Sequence, residues 1–215
     1  MAFPKIMILA IGGSHGDFLY SCCRLMLDTT SKINVDDNGR VSSDSVFKYK
    51  NFYRKGKKFP VQYNIKSESS VELSHVWYEE FVNWPSDFFY IDFDEAVMPL
   101  VRQAWMHKTC KSSVQKAIEY LRLSFPEPVT RKINAKNFYE IYDSISIRNK
   151  KKYKNQPNIK KIPMFDLYNY KSLLGVLDNM GVLGHGNDEL LRNFHAEWKA
   201  KNLKHIQTIM SFSKQ

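Results

Sequence analysis

From Ile6 to Ile11 every position is apolar. Half-exposed strands alternate apolar and polar residues, so an unbroken run reads as a strand buried on both faces, as in a parallel sheet. Gly12-Gly13 ends the run. Phe18, Cys22, Leu25 and Met26 then recur at helical spacing and predict a helix over 17–28, with Ser14 as its cap. Residues 29–45 are polar and read as a loop with a turn at Asp37-Asn38-Gly39. Residues 46–66 interleave aromatics with seven basic residues and no acids, which suits a hairpin or an irregular insertion with a cationic face. Val71 to Leu73 reads as a short strand and Phe88 to Phe93 as a strong one.

The pattern then turns helical. A helix is predicted over 96–108, with Pro99 in its first turn, where a missing N–H costs nothing. Further helices are predicted over 113–123, stopped by Pro126 and Pro128, and over 135–146. Residues 148–161 carry seven basic residues, one proline and no acid, and read as an exposed, mobile loop. A short strand over 162–166 and a helix over 170–180 follow, the latter stopped by Gly181. A single last helix is predicted over 188–210, with Leu191, Phe194 and Trp198 on one face. Strands alternating with helices predict an α/β fold: a three-layer sandwich on a mostly parallel sheet. No domain boundary stands out, so 1–215 is read as one domain, with 110–150 as a helical insertion beside the sheet.

At 215 residues the chain can bury a core without metal or disulfide staples. Its formal net charge of +10 favours anionic partners. Cys22, Cys23 and Cys110 are odd in number and lack metal-ligand spacing, so they read as reduced packing residues and point to the cytoplasm. The run Ile6–Ile11 is too short for a membrane span or a normal signal core. The six histidines show no metal-site spacing, so no metal is expected.

The chemistry concentrates in Gly12-Gly13-Ser14-His15-Gly16-Asp17-Phe18. A buried strand enters a glycine-rich turn and then a helix, and the free amides of such a turn, with the helix dipole, attract a phosphate-like anion. Ser14 adds a hydroxyl donor. The alternative is an ordinary tight strand-to-helix turn. The lysine and Ser/Thr pair of nucleotide-hydrolysing loops is missing, since His15-Gly16-Asp17 stands there. If the loop is the site, Gly13→Val should remove anion binding and leave the fold intact. His107 and Lys108 read as dipole partners at a helix end, and His195 as a packing residue. The basic stretches 48–58 and 148–161 can grip a phosphate, an anionic acceptor or nucleic acid. No recognisable nucleic-acid module accompanies them.

The opening loop resembles the strand-loop-helix of sulfotransferase-like P-loop proteins. The segments Ile162 to Tyr168, Leu173 to Leu177 and Phe194 to Asn202 are similar to the closing region of small, divergent members, and Phe89 to Asp94 fits a core strand. The resemblance covers about half the chain. It implies a P-loop fold binding 3′-phosphoadenosine 5′-phosphosulfate as co-substrate and transferring its sulfuryl group to a hydroxyl acceptor. Gly12, Gly13, Ser14, His15, Gly16, Asp17 and Phe18 would hold the 5′ end, and Arg102 with Ser112 or Ser113 the 3′-phosphate. His15 would assist at the bridging oxygen, and His75 would be the base, with Glu79 and Glu80 as alternatives. Two rival functions remain: a nucleotide kinase-like protein, and a non-catalytic basic protein that docks to nucleic acid or a host partner.

Overall fold

The computed structural model describes residues 5–27, 33–43, 48–54, 57–63, 71–74, 85–124, 132–184 and 186–212. Four parallel strands form its centre: β1 (Ile6–Leu9), β6 (Val71–Ser74), β7 (Asp87–Asp92) and β8 (Ile159–Pro163). They stand in the order β6-β1-β7-β8, with Ile8 level with Leu73 on one side and Phe89 on the other. A hairpin of β4 (Lys48–Arg54) and β5 (Lys57–Tyr63) extends the sheet beyond β6 by antiparallel pairing. Within the 46–66 segment, residues 48–54 and 57–63 therefore pair as a hairpin in their backbone.

Every residue of β1 and β6 is buried, as are Phe88 to Ile91 of β7. Strands buried on both faces need cover on both sides, and the described residues include seven helices that flank or extend this centre. The result is an α/β fold compatible with a three-layer sandwich. Helix α1 (Gly16–Leu27) packs on β6 and carries Phe18, Cys22, Leu25 and Met26 into the main core. Helix α2 (Met98–Cys110) follows a 3-10 turn over Glu95–Val97 capped by Asp94, with Pro99 in its first turn. Helix α3 (Val114–Ser124) and helix α4 (Phe138–Lys154) pack on α2, where Met106, Cys110, Ile118, Leu121, Phe138 and Tyr142 make a second apolar cluster. The three cysteines are buried and unpaired.

Three expectations fail. Residues 29–45 are not only loop: β2 (Ile33–Val35) and β3 (Val41–Ser43) form a hairpin around the expected turn, where Asp36 Oδ1 accepts the Asn38 and Arg40 amides. Residues 148–161 are not a mobile loop. Helix α4 continues to Lys154 and β8 starts at Ile159. The basic count hid a buried face of Asn149, Lys150 and Tyr153. Lys150 is tolerated there because it donates to the Phe93 carbonyl and lies 3.7 Å from Asp92. Last, 188–210 is two helices, α6 (Asp188–Lys201) and α7 (Leu203–Phe212), broken at Asn202. The Asn202 amide side chain donates to the Trp198 and Gly39 carbonyls, tying the break to the β2–β3 turn. Helix α5 (Tyr170–Asn179) ends at Gly181 as expected, with φ +69°.

The tightest contact in the fold is between the loop after β1 and the backbone of α2. A Cβ on Gly13 would sit 2.1 Å from the Val101 carbonyl oxygen, and Gly13 has φ +89°. The expectation that Gly13→Val spares the fold is thus overturned. Even Gly13→Ala combines left-handed strain with a backbone clash, and a loss of roughly 3 kcal/mol is expected in urea unfolding. A loss under about 1 kcal/mol would mean that the loop and α2 do not pack this way.

Candidate functional site

The loop after β1 lies at the carboxyl edge of the sheet. Its strand is flanked by β6 on one side and β7 on the other, so the chain order reverses across it. Open α/β sheets bind ligands at such a switch point. A cavity of about 140 Å³ opens there, lined by Gly12, Gly13, His15, Gly16, Asp17 and Phe18 of the loop and α1. Its other walls are Arg40, Trp105, Lys108, Tyr142, Asn149 and Trp198 among others.

Ser14 is turned inward: its amide and its hydroxyl both donate to the Ile11 carbonyl, at 2.9 and 2.7 Å. It is not the expected helix cap. The first helical bond instead runs from the Leu19 amide to the His15 carbonyl, 3.1 Å, with His15 itself at φ +64°. The Gly12 carbonyl is fixed by the Tyr142 hydroxyl at 2.7 Å. The first-turn amides of α1, on Gly16, Asp17 and Phe18, have no protein acceptor among the described residues. These are the free donors every helix start leaves behind, here at the floor of a cavity.

Helix α2 crosses over this floor. Val101, Trp105 and Lys108 are four and three residues apart and share one helix face. Val101 presses its carbonyl on Gly13, and Trp105 covers Gly12, where an added Cβ would lie 2.9 Å from the indole. Two turns on, the same face delivers Lys108 to the cavity. Lys108 makes no ion pair among the described residues. Burial holds its ammonium down to about 8, against the opposing pull of Asp17 and Asp36. Lys108, expected only as a dipole partner at a helix end, is partly buried in the last turn of α2 and also lines the cavity beside the start of α1. His107, its neighbour, is exposed as expected.

His15 is 6% exposed and its Nε2 has no partner among the described residues. Its ring stands edge-on to Trp198, Tyr168 and His205, with centroids 5.1, 5.6 and 5.8 Å away. The Tyr168 hydroxyl and His205 Nε2 are likewise buried without a partner. Burial, then Lys108 and His205, hold His15 well below the usual histidine range. Burial, then Lys108 and His107, push His205 down to about 4. Both imidazoles are therefore neutral at pH 7. Phe18 stacks flat on Trp198 at 3.7 Å and braces the start of α1.

The remaining expected residues lie elsewhere. Arg102 points away from the cavity lining: it pairs with Asp143 and stacks on Tyr139, 4.7 Å from the ring centroid. Ser112 is exposed at the end of α2, where its amide caps the Met106 carbonyl. Ser113 Oγ accepts the Lys116 amide and caps α3. His75, Glu79 and Glu80 lie outside the described residues. His195 packs as expected, with Nε2 3.1 Å from the Leu167 carbonyl. Sequence reading missed Lys108 and His205. The spacing of Val101, Trp105 and Lys108 was visible, but nothing in it said that this face met the loop.

The partly buried ammonium of Lys108 makes a stability prediction. Its ordinary value is near 10.5 and its folded value is about 8, so the unfolded chain binds the proton more tightly between those values. The charge thus costs stability in full below pH 8, and the cost fades as pH rises to 10.5. Lys108→Met should raise Tm at pH 7 and lose that gain by pH 10.5; a lowered Tm at pH 7 would contradict the burial. No protein-family model, curated protein or solved structure matches the chain.

Proposed function

We propose that the chain binds the phosphosulfate or phosphate end of an anionic nucleotide over the start of α1. The observation that carries this reading is the meeting, in one cavity, of free first-turn amides with a partly buried lysine that has no ion pair among the described residues. Amides and dipole favour an anion, and the lysine supplies the full charge that the loop itself lacks. A bound dianion would in turn remove the desolvation burden of Lys108. Asp17 opposes the anion and narrows the choice to a ligand that meets the amides from the side away from its carboxylate.

The reaction proposed is sulfuryl transfer from 3′-phosphoadenosine 5′-phosphosulfate to a hydroxyl acceptor, as the sulfotransferase-like P-loop resemblance implies. Lys108 would stabilise charge on the transferring oxygens, the part a loop lysine plays in phosphoryl transfer. Neutral His15 can donate or accept one hydrogen bond through its free Nε2. With Arg102 already paired to Asp143, Arg40, which lines the same cavity, is the cation proposed for a second phosphate.

Thermal shift separates the alternatives. Adenosine 3′,5′-bisphosphate should raise Tm by several degrees at saturating concentration, and Lys108→Met should cut that rise by more than half. A rise with ATP and magnesium alone would replace sulfuryl transfer by a kinase-like reading. No rise with either, beside salt-sensitive retention on nucleic acid, would leave a binding protein and end the proposal.

A further inference from the structure

We infer that anion binding in this cavity takes up a proton on the His15–His205 pair. The inference rests on the anion-binding reading above and adds to it the regulation of that site by pH. The geometry supplies three facts. Two imidazoles lie with centroids 5.8 Å apart, each with an unpartnered, buried Nε2. One of them, His15, lines the cavity at the start of α1. The other is carried by α7, whose position is fixed by the Asn202 link to the β2–β3 turn.

Among the described residues, α2 gives Lys108, which acts on both imidazoles, and His107, which acts on His205; Asp17 of α1 and Asp36 of the β2–β3 turn act on Lys108, and Arg40 lines the same cavity. The 3-10 segment Met164–Tyr168 gives the Tyr168 ring and hydroxyl, and α6 presents the Trp198 ring. Without an anion, burial and Lys108 disfavour a further positive charge, so both imidazoles stay neutral at pH 7. A dianion on the α1 amides reverses the sign of the local field. A solvent proton then binds His15, and the imidazolium donates one N–H toward an anion oxygen and the other toward the free His205 Nε2. His205 acts here as a positioning residue, because it does not line the cavity.

A second consequence separates this from a purely structural role of the pair. The folded values lie below the ordinary 6.5, so the unfolded chain binds protons more readily as pH falls from 6.5 toward 4. The empty protein should lose stability across that window, and a bound anion should restore it.

The probe is adenosine 5′-phosphosulfate, whose phosphosulfate group does not itself titrate near neutrality, at fixed ionic strength. Uptake of one proton makes the affinity rise toward tenfold per pH unit. Between pH 7.5 and 5.5 the affinity should rise at least tenfold in the wild-type protein and less than threefold in His205→Gln. In parallel, imidazole proton resonances of the wild-type protein should show one histidine protonating at higher pH with ligand than without. That second readout stands if the variant does not fold. Binding that is flat with pH, a full slope in His205→Gln, or unchanged histidine titrations would each overturn the proton uptake and leave the anion site standing. No binding at any pH would overturn both.

Discussion

The close approach of Gly13 to the Val101 carbonyl organises the molecule. No residue with a Cβ fits that gap, and the contact locks the loop after β1 to one face of α2. The position of Lys108 follows from helix geometry alone, since residues seven apart stand on one side of an α-helix. Placement of the cavity, its charge and its lining thus depends on one backbone-to-backbone contact. Tyr142 reinforces it by donating to the Gly12 carbonyl from α4, so the helices beyond the sheet also serve the loop.

The second organising feature is electrostatic frustration. Lys108, Arg40, His15 and His205 gather around one small cavity and its lining, and Asp17 alone of the acids lines it. Burial without partners costs stability, and the fold tolerates it here while Lys150 shows the ordinary solution, a carbonyl and a carboxylate close by. The two lysines differ in their surroundings: Lys150 is buried with partners, and Lys108 is partly buried at the cavity wall with no ion pair among the described residues.

Much of the fold was legible in the sequence. The opening strand and helix, Pro99 in the first turn of α2, and the Gly181 stop are all local signals that survived packing. One failure came from taking a count of charges for exposure. In 148–154 the basic residues ride a helix whose other face, with Lys150 among it, is buried. The α6–α7 break was hidden because Asn202 bonds to Gly39, more than 160 residues away in sequence, as a side chain rather than a turn signal. At the site, the glycine loop could be read from its strand-to-helix setting. The inward turn of Ser14, the pairing of Arg102 and the arrival of Lys108 and His205 are long-range outcomes that no local pattern encodes.

The most direct measurement is the change in backbone amide chemical shifts as sulfate is added to the labelled protein at pH 7. The largest changes are expected at Gly16, Asp17 and Phe18, moving together along one saturable curve, with the Lys108 side chain following. If those amides stay still while the strands over 48–54 and 57–63 move instead, the anion belongs to the hairpin and the site at the start of α1 is refuted.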